Sequence, residues 1–169
     1  DSVINTYAGS SGAGFGLQNA AVVAGSHVGS ARAVVETYNG TAWSAATALG
    51  TGRNYLAGAG YMAAGLAMGG DHLGCTERFD GTAWTEVADL TVPRYKLSGT
   101  GNDTAAVVMG GFSGSVAYTT STEEYDGSSW TAGGAMITGR LASMAGGTQN
   151  AALVFGGETP SPTPAAGMT

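Results

Sequence analysis

Three glutamates occupy the same place in a recurring octet: Glu36-Thr-Tyr-Asn-Gly-Thr-Ala-Trp43, Glu77-Arg-Phe-Asp-Gly-Thr-Ala-Trp84 and Glu123-Glu-Tyr-Asp-Gly-Ser-Ser-Trp130. Each is followed two residues later by Tyr38, Phe79 or Tyr125, so in a strand the acid and the ring share one face. A carboxylate on a packed face needs donors. Arg53, Arg94 and Arg140 recur once per repeat and could supply them, as could backbone amides. Catalytic acids are not normally copied into every repeat, so a structural charge pair or hydrogen bond is the preferred reading over catalysis. Trp43, Trp84 and Trp130 could stack sugar rings, but repeated indoles more often wedge packed elements together.

Less regular positions are better candidates for binding. His27, Asp71, Phe112 and Glu158 share one repeat position, just after a Gly-Gly or Gly-Ser pair, and His72 adjoins Asp71. Tyr118 lies in the longest loop, Phe112–Thr122. A cation site from His27, Asp71, His72 and Glu158 is chemically conceivable but has no local ligand motif; solvated loop residues are the plainer reading. No metal, cofactor or catalytic residue is assigned. Asn39-Gly-Thr41 and Asn102-Asp-Thr104 fit the glycosylation acceptor pattern, a short motif that also arises by chance.

The elements that must position these residues follow from the repeat. Small apolar runs close on Gly-Gly at Gly69-Gly70, Gly110-Gly111 and Gly156-Gly157, with Gly25-Ser26 in the first copy. Each arginine stands the same distance ahead of its pair, and Gly9 takes that place in the first copy. The repeat of roughly 40–46 residues suits propeller blades. Each copy reads as four strands: Gly/Ala-rich, as in Leu56–Tyr61; apolar up to Gly-Gly; Glu-x-aromatic; and Trp-led. Asn-Gly and Asp-Gly favour the positive φ angles of a tight turn between the last two. Val107-Val-Met109 and Leu153-Val-Phe155 do not alternate, so these strands call for apolar cover on both faces.

In the Gly-Gly strand, the Glu-x-Tyr-Asp-Gly strand and the Trp-led strand the chain resembles the kelch repeat family, over nearly its whole length. The regularity of the copies is similar to kelch-like arrays of phage and marine bacterial surface proteins. The resemblance implies an all-β propeller with the Gly/Ala strand innermost and the Trp strand outermost. Blades are expected over 10–49, 53–90 and 94–136, with an incomplete fourth from Arg140. Residues 1–157 form the propeller and 158–169 a Pro-rich tail, linker or closing segment. Ser2–Tyr7 falls where an outermost strand should be, and is expected to complete the last of four blades and close the ring. The alternative is half of a larger propeller.

Net charge is −6 with Lys96 the single lysine, so no basic face for nucleic acid is visible. No apolar run is long enough to span a membrane. Cys75 is alone and can form no intrachain disulfide; it reads as a small buried apolar residue. The chain opens on Asp1 with no initiator methionine and no signal-like stretch, as a processed protein or part of a longer one would. The function expected is a non-enzymatic binding or adhesion module for a glycan or protein ligand, extracellular or on a virion or cell surface. The alternative is a structural subunit of a virion appendage or extracellular filament, able to form homo-oligomers. An oxidase resembling the copper-dependent kelch propellers ranks last, because only His27, His72 and Cys75 could serve it and no site pattern holds them.

Overall fold

A computed structural model describes residues 11–27, 29–114 and 117–160. Those residues hold strands and no helix. The fold is all-β, in four antiparallel sheets. The first contains β1 (Ala13–Leu17), β2 (Ala20–His27), β3 (Ala31–Tyr38) and β4 (Trp43–Ala45). The second contains β5 (Ala57–Tyr61), β6 (Ala64–Met68), β7 (Thr76–Phe79) and β8 (Trp84–Val87). The third contains β9 (Ser98–Gly101), β10 (Ala106–Met109), β11 (Thr122–Tyr125) and β12 (Trp130–Ala132). The fourth has only β13 (Met144–Thr148) and β14 (Ala151–Phe155) among the described residues. A unit below runs from one arginine position of the repeat to the next and so holds one sheet.

The octet builds each outer hairpin, though not by the turn expected. Tyr38 pairs with Trp43, Phe79 with Trp84 and Tyr125 with Trp130, so four residues form each connection. Only the glycine takes a left-handed angle, with φ of 92°, 100° and 94° at Gly40, Gly81 and Gly127. The residue before it acts through its side chain instead. Asn39 Oδ1 accepts the Thr41 and Ala42 amides at 3.0 Å, and Asp80 and Asp126 do the same for their hairpins at 2.8 Å.

The sheets stand side by side through their first strands, β1 against β5, β5 against β9, and β9 against β13. Small residues permit this approach. A Cβ on Gly58 would meet the Ala13 Cβ at 3.2 Å, and one on Gly99 would meet the Ala57 Cβ at 3.0 Å. All four first strands line one cavity of about 340 Å³. Backbone bonds also run from unit to unit, Tyr55 N–H to Ser11, Lys96 N–H to Tyr55 and Ala142 N–H to Lys96, at 2.6, 2.9 and 2.8 Å. β13 has no comparable contact back to β1 among the described residues. Closure by Ser2–Tyr7 and the course of the tail beyond Pro160 lie outside the described residues.

Two apolar layers fill the gaps between neighbouring sheets. Val22, Leu49, Leu56, Ala67 and Phe79 pack between the first and second. Leu66, Met68, Leu90, Val108, Tyr125 and Trp130 pack between the second and third. Full burial of each large side chain stabilises by about 1.5–3 kcal/mol. β10 is buried along its whole length, as its unbroken apolar run requires. β14 is not. Leu153 is 65% exposed and Phe155 49%, against the expectation of cover on both faces. The run is the same, but no sheet follows the fourth among the described residues. The first unit is bare on its opposite side, where Val23 is 39% exposed while Val22 is fully buried.

Candidate functional site

The repeated acids are held within the fold. In the second unit the Arg53 guanidinium, fully buried, donates to the Cys75 and Ala67 carbonyls at 2.7 and 3.2 Å and pairs with Glu77 at 3.1 Å. Glu77 also accepts the Gly50 amide at 2.7 Å and the Thr51 amide at 3.4 Å. The third unit repeats this. Arg94 donates to the Gly110 and Ser121 carbonyls at 3.2 and 3.0 Å and pairs with Glu123, which accepts the Thr91 and Val92 amides at 2.6 and 3.3 Å. Both carboxylates are therefore buried and bonded to an arginine and to backbone amides of the scaffold. Glu36, in the first unit, keeps one buried carboxylate oxygen without a partner among the described residues.

The tryptophans join successive units. The Trp84 and Trp130 indole N–H groups donate to the Thr47 and Ala88 carbonyls of the preceding connections, each at 3.0 Å. Trp43 stacks on Tyr38, Trp84 on Phe79 and Trp130 on Tyr125, with centroids about 5 Å apart. Trp84 and Trp130 thus wedge between neighbouring units, whereas Trp43 has only the Tyr38 ring contact among the described residues.

Aromatic side chains, exposed at Tyr55 and His72 and half-buried at Tyr95 and Phe112, gather at one end of the second and third sheets. Asn54–Tyr55 precede β5, Asp71–His72 follow β6, Tyr95–Lys96 precede β9, and Phe112 follows β10. The His72 ring lies 4.2 Å from Tyr95 and 5.9 Å from Phe112, Tyr95 lies 5.3 Å from Phe112, and Tyr55 lies 6.0 Å from Tyr95. Lys96 Nζ sits 5.3 Å from the centre of the Tyr55 ring, within cation–π range. The backbone beneath fixes these rings. Tyr95 and Phe112 exchange N–H···O bonds of 3.1 and 2.8 Å, and the Asp71 amide donates to Asn54. Tyr55, Asp71, His72 and Lys96 all hold left-handed angles, with φ between 51° and 63°. Non-glycine residues rarely adopt these, and such strain concentrates at binding sites. One source of it is the repeat itself, since Ser11, Tyr55, Lys96 and Ala142 take the same angle at the same place in each unit.

Of the residues singled out from sequence, His72 and Phe112 enter this cluster and Asp71 borders it. His27 is exposed at the end of β2 and has no ring contact among the described residues. Tyr118 is half-buried at φ 58°, with no ring contact there either. Glu158 is exposed and pairs through its backbone with Leu141. The conceivable cation site is not assembled: among the described residues no cluster of potential ligands contains His27, Asp71, His72 or Glu158. The single such cluster is Cys75, Glu86 and Asp89. Cys75 is half-buried just before β7, and burial pushes its thiol pKa up, which works against a thiolate ligand.

Tyr55, Tyr95 and Lys96 were missed in the sequence. Their signal was available: they fill the positions directly after each arginine, where the fourth unit has Leu141 and Ala142. No protein-family model matches this chain, and no curated protein is detectably similar to it.

Proposed function

We propose that the four sheets are blades of a kelch-like β-propeller, and that the chain is a non-enzymatic binding module working at a cell or virion surface. The cavity shared by the first strands and the unit-to-unit backbone bonds support the blade arrangement. One observation carries the functional reading: Tyr55, His72, Tyr95 and Phe112 assemble from two adjoining units into an aromatic patch on strained, hydrogen-bonded backbone. Rings held this way lose little entropy on binding and offer flat faces to a sugar ring or an apolar side chain. The acids that could have done chemistry are bound within the scaffold.

The test is a glycan array and a protein pull-down with the chain and its Tyr55→Ala and Phe112→Ala variants. Each substitution is expected to weaken the ligand found by roughly tenfold, since buried aromatic anchors dominate such interfaces. Unchanged binding by both variants would place the ligand elsewhere. The uncovered Ile137, Met144, Leu153 and Phe155 favour a second reading, a structural subunit that assembles through its fourth unit. Sedimentation in dilute buffer separates the two, because a strict monomer excludes self-assembly.

A further inference from the structure

We propose that the free edge of β14, with Arg140 and the Met136–Thr138 connection, is an acceptor site for one extended strand of another polypeptide. That strand carries a glutamate two residues ahead of an aromatic ring. The proposal stands on the fourth unit and does not depend on the aromatic patch.

The site is the second and third units' Arg–Glu site with the strand that supplies glutamate taken away. In those units the third strand lies antiparallel to the second, with Glu77 opposite Ala67 and Phe79 opposite Gly65, then Glu123 opposite Val108 and Tyr125 opposite Ala106. By position before Gly-Gly, the matching residues of β14 are Val154 and Ala152. No strand pairs with that edge of β14 among the described residues.

The donors are nevertheless in place. The Arg140 guanidinium donates to the Gly156 carbonyl at 2.7 Å, as Arg94 does to Gly110, and no carboxylate pairs with it among the described residues. The Ile137 and Thr138 amides stand where the Thr91 and Val92 amides bind Glu123, and they donate to nothing among the described residues. Met136 takes the place of Leu49 and Leu90, which the incoming rings Phe79 and Tyr125 help to bury. Met136, Ile137, Thr138, Arg140 and Val154 line an open groove of about 410 Å³. A guanidinium, two aligned amides and an unpaired strand edge recognise one ligand chemistry, a β-strand bearing a carboxylate. Within residues 1–169 every Glu-x-aromatic sequence is already used, and neither 2–10 nor 159–169 contains an acid. The glutamate-bearing strand is therefore not one of residues 1–169.

A fluorescent peptide with the sequence of Ser121–Ala132 is the probe, titrated by anisotropy against the whole chain. Saturable binding is expected, with amide exchange slowed across Ala151–Phe155. Arg140→Ala in the protein and Glu→Ala in the peptide, at the position matching Glu123, should each weaken it by roughly tenfold or more. Circular dichroism and tryptophan emission check that the Arg140→Ala fold is intact. Absence of saturable binding overturns the proposal, as does equal binding by the variant or protection confined to another sheet. Concentration-dependent dimerisation that Arg140→Ala abolishes and the peptide cannot compete would assign the groove to a second copy instead.

Discussion

In the third unit Arg94 is walled in by the Gly110 and Ser121 carbonyls and the Glu123 carboxylate, and none of its side chain reaches solvent. In the fourth, Arg140 makes the same bond to its Gly-Gly carbonyl but faces an open groove. The two arginines have the same sequence setting and nearly the same backbone. What differs, among the described residues, is that a third strand covers Arg94 and none covers Arg140. An arginine of this kind is thus an organiser only when the strand arrives, because only then are its charge and the carboxylate desolvated together. Glu36 shows the converse in the first unit: the acid is in place and one of its oxygens lacks a donor among the described residues.

The largest contrast is expected from removing these cations. Arg94→Ala leaves Glu123 buried without its counter-charge and should cost about 3–5 kcal/mol in urea unfolding. Arg140→Ala strands no carboxylate and should cost about 0.5 kcal/mol or less. Equal losses would mean that Arg140 too is paired with a buried carboxylate.

Glycines on the first strands should divide the same way, with a smaller effect. A Cβ on Gly99 would stand 2.7 Å from Met68 Cε and 3.0 Å from the Ala57 Cβ, so Gly99→Ala should destabilise by about 1–3 kcal/mol. Gly146, on β13, has nothing within 4 Å of that position. Gly146→Ala should be neutral or stabilise by up to about 1 kcal/mol, through the unfolded chain. Thermal unfolding of both variants checks this.

The smallest effect compares two hairpins through pH. Backbone and hydroxyl donors at Ser128 and Ser129 hold the Asp126 pKa down at about 2, below its ordinary 3.8. The folded state therefore favours the charged form. Its stabilising contribution is complete above about pH 4 and disappears as pH falls through about 2. Asn39 accepts the corresponding amides without titrating. The stability gap between the native chain and Asp126→Ala should shrink between pH 5 and 2, whereas the gap for Asn39→Ala should not. Parallel gaps across that range would show that the carboxylate charge adds nothing to the turn.

Much of the fold was legible because its signals are local and repeated. The octet marks each outer hairpin, and Gly69-Gly70 and Gly110-Gly111 mark where β6 and β10 end. The same repetition put one arginine and one acid into the second and third units, and a buried charge has few partners to choose from. The aromatic patch was only half legible. His72 and Phe112 stand out as departures at one repeat position, but Tyr55 and Tyr95 stand elsewhere in the repeat, ahead of the first strand of their sheets, and ring-to-ring distance has no counterpart along the chain. The turn at Asn39, Asp80 and Asp126 was placed correctly and built differently, because the side-chain oxygen bound two amides and left the positive φ to glycine alone.

Leu153-Val-Phe155 marks the boundary between the two kinds of information. By itself the sequence determined that this stretch is a strand, that it ends at Gly156-Gly157, and that Arg140 stands ready beside it. Only the tertiary structure decided that, among the described residues, no strand pairs with its edge and that Leu153 and Phe155 stay exposed. Strand formation answers to the chain's own residues and turns, whereas burial answers to whatever lies across the gap, and no pattern of apolar residues states what that neighbour is.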